Sequence, residues 1–387
     1  DQLRAIQTHL RRNPRIRFVW YDYWCMPQGD RSPAERVHFG WMLKNVNFLY
    51  LGCLVLILLD ISYLSRFWTQ MEAWLSMQLG GTDGLRPAHE SLRRCTIEFL
   101  HAATSTTRSD LINMWAHRSP EEAYALLSKP DVHVTNLNDK VTQLEKVQLL
   151  DPDVRNAFTP AAATQLHTEG ATVLSLIADG FSPTAVASAG IACDAALMDA
   201  CASVASMAQL PDARTALRVT VLDLHGKALS TEESQALALV LRHGAPELVR
   251  LNVSGGVADL RAIGEAILSR TTSKLVSVKC NAFEVPDDAS VLDLSRKGLT
   301  WGDACLLAGV MKFRASLTEC NVRGNKIDSA SATTLAKIGT EKGIMLYGIK
   351  HDQKEADFSG QRLGPVDAIL IASDLAVSAS LTKIDLS

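Results

Sequence analysis

A recurrence in the last third of the chain constrains its fold more than any other feature. Apolar residues occupy positions one, four and six of a short segment in Val219-x-x-Leu222-x-Leu224, Leu248-x-x-Leu251-x-Val253, Leu275-x-x-Val278-x-Cys280, Leu317-x-x-Cys320-x-Val322 and Leu381-x-x-Ile384-x-Leu386. The fourth positions advance from 222 to 251 to 278 and, through Leu292, from 292 to 320, which gives steps of 29, 27 and 28. A short strand with one apolar face cannot bury that face alone, so copies at a fixed period must stack on one another. Steps of that length leave room for a full helix after each strand, as over Ser329 to Ile338. The phase breaks twice: Leu292 follows Val278 after half a step, and Ala356 follows Tyr347 after a third of one. Each break precedes a fresh start, Asp293-Leu294-Ser295 or Asp357-Phe358-Ser359, where a second strand is expected with no intervening helix.

The copy that starts at Leu317 continues to Asn325 and Ile327. With them it resembles the leucine-rich repeat at every position, and the step length resembles the ribonuclease-inhibitor type found in NOD-like receptors. The resemblance implies a solenoid whose concave strand face grips a protein partner. Candidate contact residues are Arg250, Asn252, Lys279, Glu319 and Asn321, alongside Asp223, Ser277, Asp293, Lys383 and Asp385. Their mixed signs suit a protein surface rather than a polyanion, although each also reads as an ordinary solvated strand residue. The asparagine of the pattern is replaced by Lys227, Lys297 and Gln361, so those turns are expected to satisfy their backbone differently. Ser387 falls inside a copy, so the array is expected to continue past it, with its C-terminal cap lying beyond this chain.

The other informative stretch runs from Arg15 to Ser76. Ile16-Arg17-Phe18-Val19-Trp20-Tyr21 is an apolar and aromatic run stopped by Asp22 and a Met26-Pro27-Gln28-Gly29 turn, which predicts a strand. Val37, Trp41, Val46 and Leu49 recur at helical spacing over Ala34 to Tyr50, and Leu54 to Leu59 is an unbroken apolar run of strand length. Strand, helix, strand predicts a right-handed βαβ unit of a parallel sheet. Ligands of such sheets gather beyond the carboxyl ends of the strands, where Asp22 and the segment Asp60 to Glu72 would meet.

Trp20-x-Asp22-x-x-Cys25-x-x-Gln28 resembles the opening motif of the fungal heterokaryon-incompatibility (HET) domain, and Arg66-x-Trp68-Thr69-x-x-Glu72 resembles its later motif. Ser62 to Glu72 is also similar to the Tyr-x-Ser-x-Trp segment of the wider TIR family, with one extra residue before the tryptophan. The likeness covers about the first hundred residues and implies a flavodoxin-like sheet used in cell-death or immune signalling, self-associating through that domain. Leu3, Ile6 and Leu10 mark Asp1 as lying inside the first helix, so the family's first strand would be missing. Some TIR domains cleave NAD with a glutamate, which here would be Glu72, with Asp22 and Trp68 as its ligand contacts.

The chemistry can be stated apart from the family. Cleavage of a nicotinamide riboside bond passes through an oxocarbenium-like state that a carboxylate stabilises. Glu72 fits that role, and equally fits a helix-dipole or capping role in the first turns of a helix. Asp22 reads as a site acid or as an Asx-turn residue, Trp68 and Trp74 as core or as a stacking platform, and Cys25 as a buried thiol or a nucleophile.

A chain of 387 residues exceeds one ordinary core. Its net charge of -3 gives no polyelectrolyte signal, so nucleic acid is not an implied partner, although Arg4, Arg11, Arg12, Arg15 and Arg17 make a local basic cluster. Eight scattered cysteines without a C-x-x-C imply neither zinc nor a disulfide framework, and point to a reducing, cytoplasmic setting with no metal. The most apolar run, Phe48 to Leu59, falls short of the roughly twenty residues of a membrane span. Between the two informative regions the composition turns to Ala, Ser, Gly and Thr, with Gly170, Gly180 and Gly190 closing short apolar helices. The expected fold class is therefore α/β: a TIR/HET-like parallel sheet at 1–158, a helical connector at 159–212 and leucine-rich repeats at 213–387. The expected function is intracellular signalling or scaffolding through a protein partner. NAD hydrolysis by Glu72 is the alternative, with NAD as substrate and no resident cofactor.

Overall fold

The computed structural model describes residues 1–14 and 16–387; Arg15 of the basic cluster lies outside them. It is a mixed α/β chain with small, mostly parallel sheets, and it divides into two compact units, Asp1–Ala192 and Cys193–Ser387. No described helix is long and apolar enough to cross a membrane.

The first unit opens with helices α1 (Gln2–Arg12), α2 (Asp22–Cys25) and α3 (Pro33–Gly52), then strand β1 (Val55–Leu59) and helix α4 (Phe67–Ser76). A hairpin of β2 (Gln78–Gly81) and β3 (Gly84–Pro87) leads to β4 (Cys95–Phe99), which pairs with β1 in parallel, Ile57 opposite Ile97. Helices α5 (Ser105–Trp115), α6 (Pro120–Leu127) and α7 (Leu137–Ala157) share one core with β1 and α4, and three short helices follow, α8 (Pro160–Thr168), α9 (Val173–Asp179) and α10 (Pro183–Ser188). Local chemistry explains several boundaries. Ser32 and Ser119 each form a capping box with the glutamate three residues on, followed by proline at the first helical position. Gly180 ends α9 at φ +123°, a conformation that costs any residue with a Cβ. Its carbonyl accepts from Thr82 N at 2.9 Å, which ties α9 to the hairpin.

The core sits where α4 crosses β1. Phe67, Met71, Trp74 and Leu75 bury one side of that helix against Ile57, Leu59, Leu111, Trp115 and Leu127. The buried indole of Trp74 donates to Arg118 O at 3.1 Å, which satisfies its one polar atom.

The expected strand over Ile16 to Tyr21 does not form. Those residues have no regular structure, and Phe18 is 91% exposed. An apolar run becomes a strand only when a ladder partner satisfies its backbone, and β1 finds its partner in β4, which follows it in the chain. The βαβ unit read from residues 16 to 59 is therefore replaced by a β1–α4–hairpin–β4 crossover.

In the second unit, α11 (Ala195–Met207) and α12 (Ala213–Arg218) precede an alternation of β5 (Val221–Asp223), α13 (Thr231–His243), β6 (Arg250–Asn252), α14 (Leu260–Leu268) and β7 (Ser277–Lys279). These three strands pair in parallel, Leu222 beside Leu251 and Leu251 beside Val278. The first phase break is a two-residue strand, β8 (Glu284–Val285), laid antiparallel on β7. The alternation then restarts with β9 (Val291–Asp293), α15 (Trp301–Met311), β10 (Glu319–Asn321) and α16 (Ser329–Lys342), with β9 and β10 parallel. The second break passes without a helix to β11 (Glu355–Asp357), α17 (Pro365–Val377) and β12 (Lys383–Asp385), again a parallel pair. Both breaks thus insert a strand without a helix, as the spacing predicts, but the direction of the first inserted strand is not in the spacing.

Asn325 braces the turn after β10: it donates to Leu294 O and Val322 O, each at 2.8 Å, and accepts from Leu299 N at 3.0 Å. At Lys227 the turn is closed instead by backbone approach, because a Cβ on Gly255 would lie 2.5 Å from Lys227 O. Helices α14 and α15 meet in the same way. A Cβ on Gly264 would fall 2.5 Å from the backbone of Cys305 and Leu306, so Gly264→Ala is expected to force the helices apart at about 3 kcal/mol. Urea unfolding followed by far-UV circular dichroism measures this, and a loss below about 0.5 kcal/mol, the scatter typical of surface substitutions, would mean the helices are not in backbone contact.

Candidate functional site

The site is assembled from four short pieces of the first unit. Trp20 meets Tyr50 of α3 edge to face, with ring centroids 6.2 Å apart. The rest of that motif holds the turn together: Tyr21 N–H points at Cys25 Sγ at 3.4 Å, Tyr23 N donates to Asp22 Oδ1 at 2.7 Å, and Gln28 Nε2 donates to Asp22 O at 3.2 Å and Met26 O at 3.1 Å. Cys25 and Gln28 therefore position the segment that carries Trp20 and Asp22. Cys25 is exposed rather than buried, and it serves that turn.

The second motif is organised by its own polar residues. Thr69 Oγ1 donates to Tyr63 O at 2.7 Å, and the Arg66 guanidinium pairs with Asp60 at 3.4 Å while lying 5.9 Å from the centre of the Tyr63 ring. These contacts fix the single-turn helix over Ile61–Ser65 against the start of α4, one turn before Glu72.

The Tyr50 side chain lies beside the Glu72 carboxyl, close enough for its hydroxyl to favour the charged form. Glu72 keeps some exposed surface, yet burial dominates its carboxyl and pushes its pKa up to about 7. Tyr50 and the charge of Arg66 pull it down, and the nearby charge of Asp22 pushes it further up. Burial likewise raises Tyr50 and Tyr63 well above the usual phenol range, with Glu72 the next influence on each. Two neutral phenols therefore flank one carboxyl that exchanges its proton near neutrality. Such a group can deliver a proton to, or take one from, a bound oxygen or nitrogen at cellular pH.

Asp22 and Glu72 are thus brought within electrostatic reach of one another, Asp22 exposed and Glu72 desolvated. Trp68 lies half-buried at the edge of the core with its ring 5.8 Å from that of Phe67, which gives it a packing role one turn from Glu72. Sequence reasoning missed Tyr50 and Tyr63. Tyr50 carried a usable signal, being the one hydroxyl in the apolar run Phe48 to Leu59, and a buried tyrosine seeks a partner.

On the second unit's strands, the central residues are buried and the flanking ones face outward. Arg250 is ion-paired with Asp287, and Lys279 with Glu284 at 2.8 Å. Both acids come from the segment around β8, so the inserted strand neutralises the two cations expected to meet a partner. Asn252 and Asn321 spend their side-chain oxygens on the turns that follow them, accepting from Ser254 N at 3.1 Å and Arg323 N at 3.2 Å. Glu319 remains partly exposed beside Asn321. All eight cysteines are free, and no group of three or more His, Cys, Asp or Glu that could hold a metal occurs among the described residues. No protein-family model and no curated protein matches this chain.

Proposed function

We propose that the chain is an intracellular signalling or scaffold protein in which the second unit is a leucine-rich-repeat-type array that binds a protein partner through its strand face. The first unit is a TIR/HET-like domain that mediates self-association. The observation that carries this reading is the register of the parallel strands. Partners across each pair are 221 with 250, 250 with 277, 291 with 319 and 355 with 383, offsets of 29, 27, 28 and 28, so each pairing joins equivalent points of successive copies. Repetition at constant register produces an extended face larger than one ligand pocket needs, and such faces suit macromolecules. Affinity capture with the Arg250→Ala, Lys279→Ala double variant tests it. The partner recovered by the unaltered chain is expected to be reduced, and undiminished recovery would remove the strand face from the account.

A second reading is supported by Glu72. A carboxyl whose pKa is pushed up to about 7, beside Tyr50 and near Asp22, is suited to acid–base or charge-stabilising work on a small molecule, NAD being the substrate that the resemblance implies. Nicotinamide release from NAD by the full chain, abolished in Glu72→Ala, is the outcome this reading requires. Activity that persists in that variant would end it.

A further inference from the structure

The second phase break leaves a cleft on the turn side of the repeats. It has a volume of about 400 Å³ and is lined by Arg296, Arg323, Gly324, Tyr347, Gln361 and Asp367, contributed by the turns after β9, β10 and β11, the connection from α16 to β11 and the start of α17. The chain reaches β11 here without a helix, turning at Tyr347 and Gly348, and Tyr347 meets Phe358 edge to face at 5.2 Å. The Arg323 guanidinium carbon lies 5.5 Å from the centre of the Tyr347 ring and 5.4 Å from that of Phe358. An arginine held against aromatic rings is immobilised while its in-plane N–H groups remain able to donate.

Arg296 is fixed independently. It sits at φ +55°, uncommon for a residue with a side chain, and its stem lies over Gly324, where a Cβ would come 3.0 Å from Arg296 Cγ. Glycine at 324 therefore lets the Arg296 side chain lie across the turn that presents Arg323. Among the described residues, ion pairs of this unit include those of Arg250, Arg261, Lys274, Lys279 and Lys383, and neither Arg296 nor Arg323 takes part in these. The acid in the lining is already committed: Asp367 Oδ1 accepts from the Tyr347 hydroxyl at 2.9 Å, and Oδ2 accepts from Gly364 N at 2.8 Å, capping α17. Two guanidinium groups thus share the lining with one carboxylate, which leaves a net positive charge that an oxyanion can meet with charge-assisted bonds.

We infer that this cleft is a binding site for an oxyanion group, a carboxylate or a phosphate, held by Arg296 and Arg323 with Gln361 at its edge. The site stands whether or not the strand face binds a protein. Calorimetric titration of the full chain with inorganic phosphate and, separately, with glutarate tests it. Saturable millimolar binding that weakens with added salt is expected for at least one of the two, and the stronger one identifies the ligand's source. Arg296→Gln and Arg323→Gln are each expected to weaken that binding about tenfold, the loss of a charge-assisted hydrogen bond. Lys326→Gln, which removes the same charge outside the lining, is expected to leave it unchanged. Arg296 is exposed, so its variant tests the site without disturbing the stacked rings, and Arg323→Lys separates the guanidinium fork from charge alone. Absence of saturable binding by both probes, binding unaltered in Arg296→Gln, or an equal loss in Lys326→Gln would overturn the assignment.

Discussion

Arg314→Leu is expected to destabilise the second unit by about 4 kcal/mol, because the charge it removes is one that three carbonyls depend on. Arg314 is 3% exposed and donates through Nη1 to Val276 O and Asp287 O, each at 2.7 Å, and through Nη2 to Ala289 O at 2.6 Å. Those carbonyls belong to the start of β7 and to the irregular segment between β8 and β9. Leucine supplies volume but no donor, so the three acceptors would be left buried and unmatched. Arg314→Lys keeps a charge and a shorter reach, and an intermediate loss is expected. Urea unfolding followed by far-UV circular dichroism provides the comparison, and a loss under about 1 kcal/mol, the net worth of one ordinary hydrogen bond, would show that the segment holds itself.

Glu72→Gln is expected to stabilise the first unit by up to about 3 kcal/mol above pH 7 and to change little near pH 4. The sign follows from the raised pKa. The folded carboxyl titrates at about 7 against 4.5 for an unperturbed glutamate. Between those values the folded state holds a proton that the unfolded state has released, so stability falls as pH rises through the window. Above it, the folded chain carries a buried negative charge beside Tyr50, Tyr63 and Asp22, with Arg66 the compensating cation. Glutamine keeps an acceptor for the Tyr50 hydroxyl and carries no charge, so the difference between the two proteins should grow with pH. Six of the seven tryptophans precede residue 193, so intrinsic fluorescence reports mainly on the first unit. Parallel unfolding curves at all pH values would mean that the carboxyl is solvated. A natural chain that retains a destabilising ionisable group at this position fits the acid–base reading, because a glutamine would fold better there.

What was legible in the sequence was local or periodic. The helix over Ala34 to Tyr50 and the strand ending at Leu59 were readable because apolar residues at helical spacing and an unbroken apolar run act over a few residues. The repeat step was readable because it recurs, and both phase breaks fell where the counting put them. Pairing decisions were not readable. Ile16 to Tyr21 has strand composition and no ladder partner, whereas Cys95 to Phe99 takes the place beside β1. The strand-face cations were chosen for exposure, but their partners Asp287 and Glu284 arrive from an insertion whose antiparallel course leaves no mark in composition. In the candidate site, Asp22 and Glu72 were anticipated from two motifs. The phenol that sets the character of Glu72 was not, since its role depends on α3 crossing α4.

The antiparallel strand β8 also acts as a fault line. Ladders of backbone hydrogen bonds run continuously from β5 through β7, end at β8, and begin afresh at β9, so among the described residues no strand ladder carries cooperativity across 286–290. Unfolding transmitted along a stack of repeats travels through neighbour contacts. At this dislocation those contacts include the packing of α14 on α15, the bonds of Lys312 Nζ to Leu268 O and Arg270 O, and that of Arg314 to Val276 O. Amide exchange should accordingly resolve two blocks of protection, one on either side of the offset, that open at different denaturant concentrations.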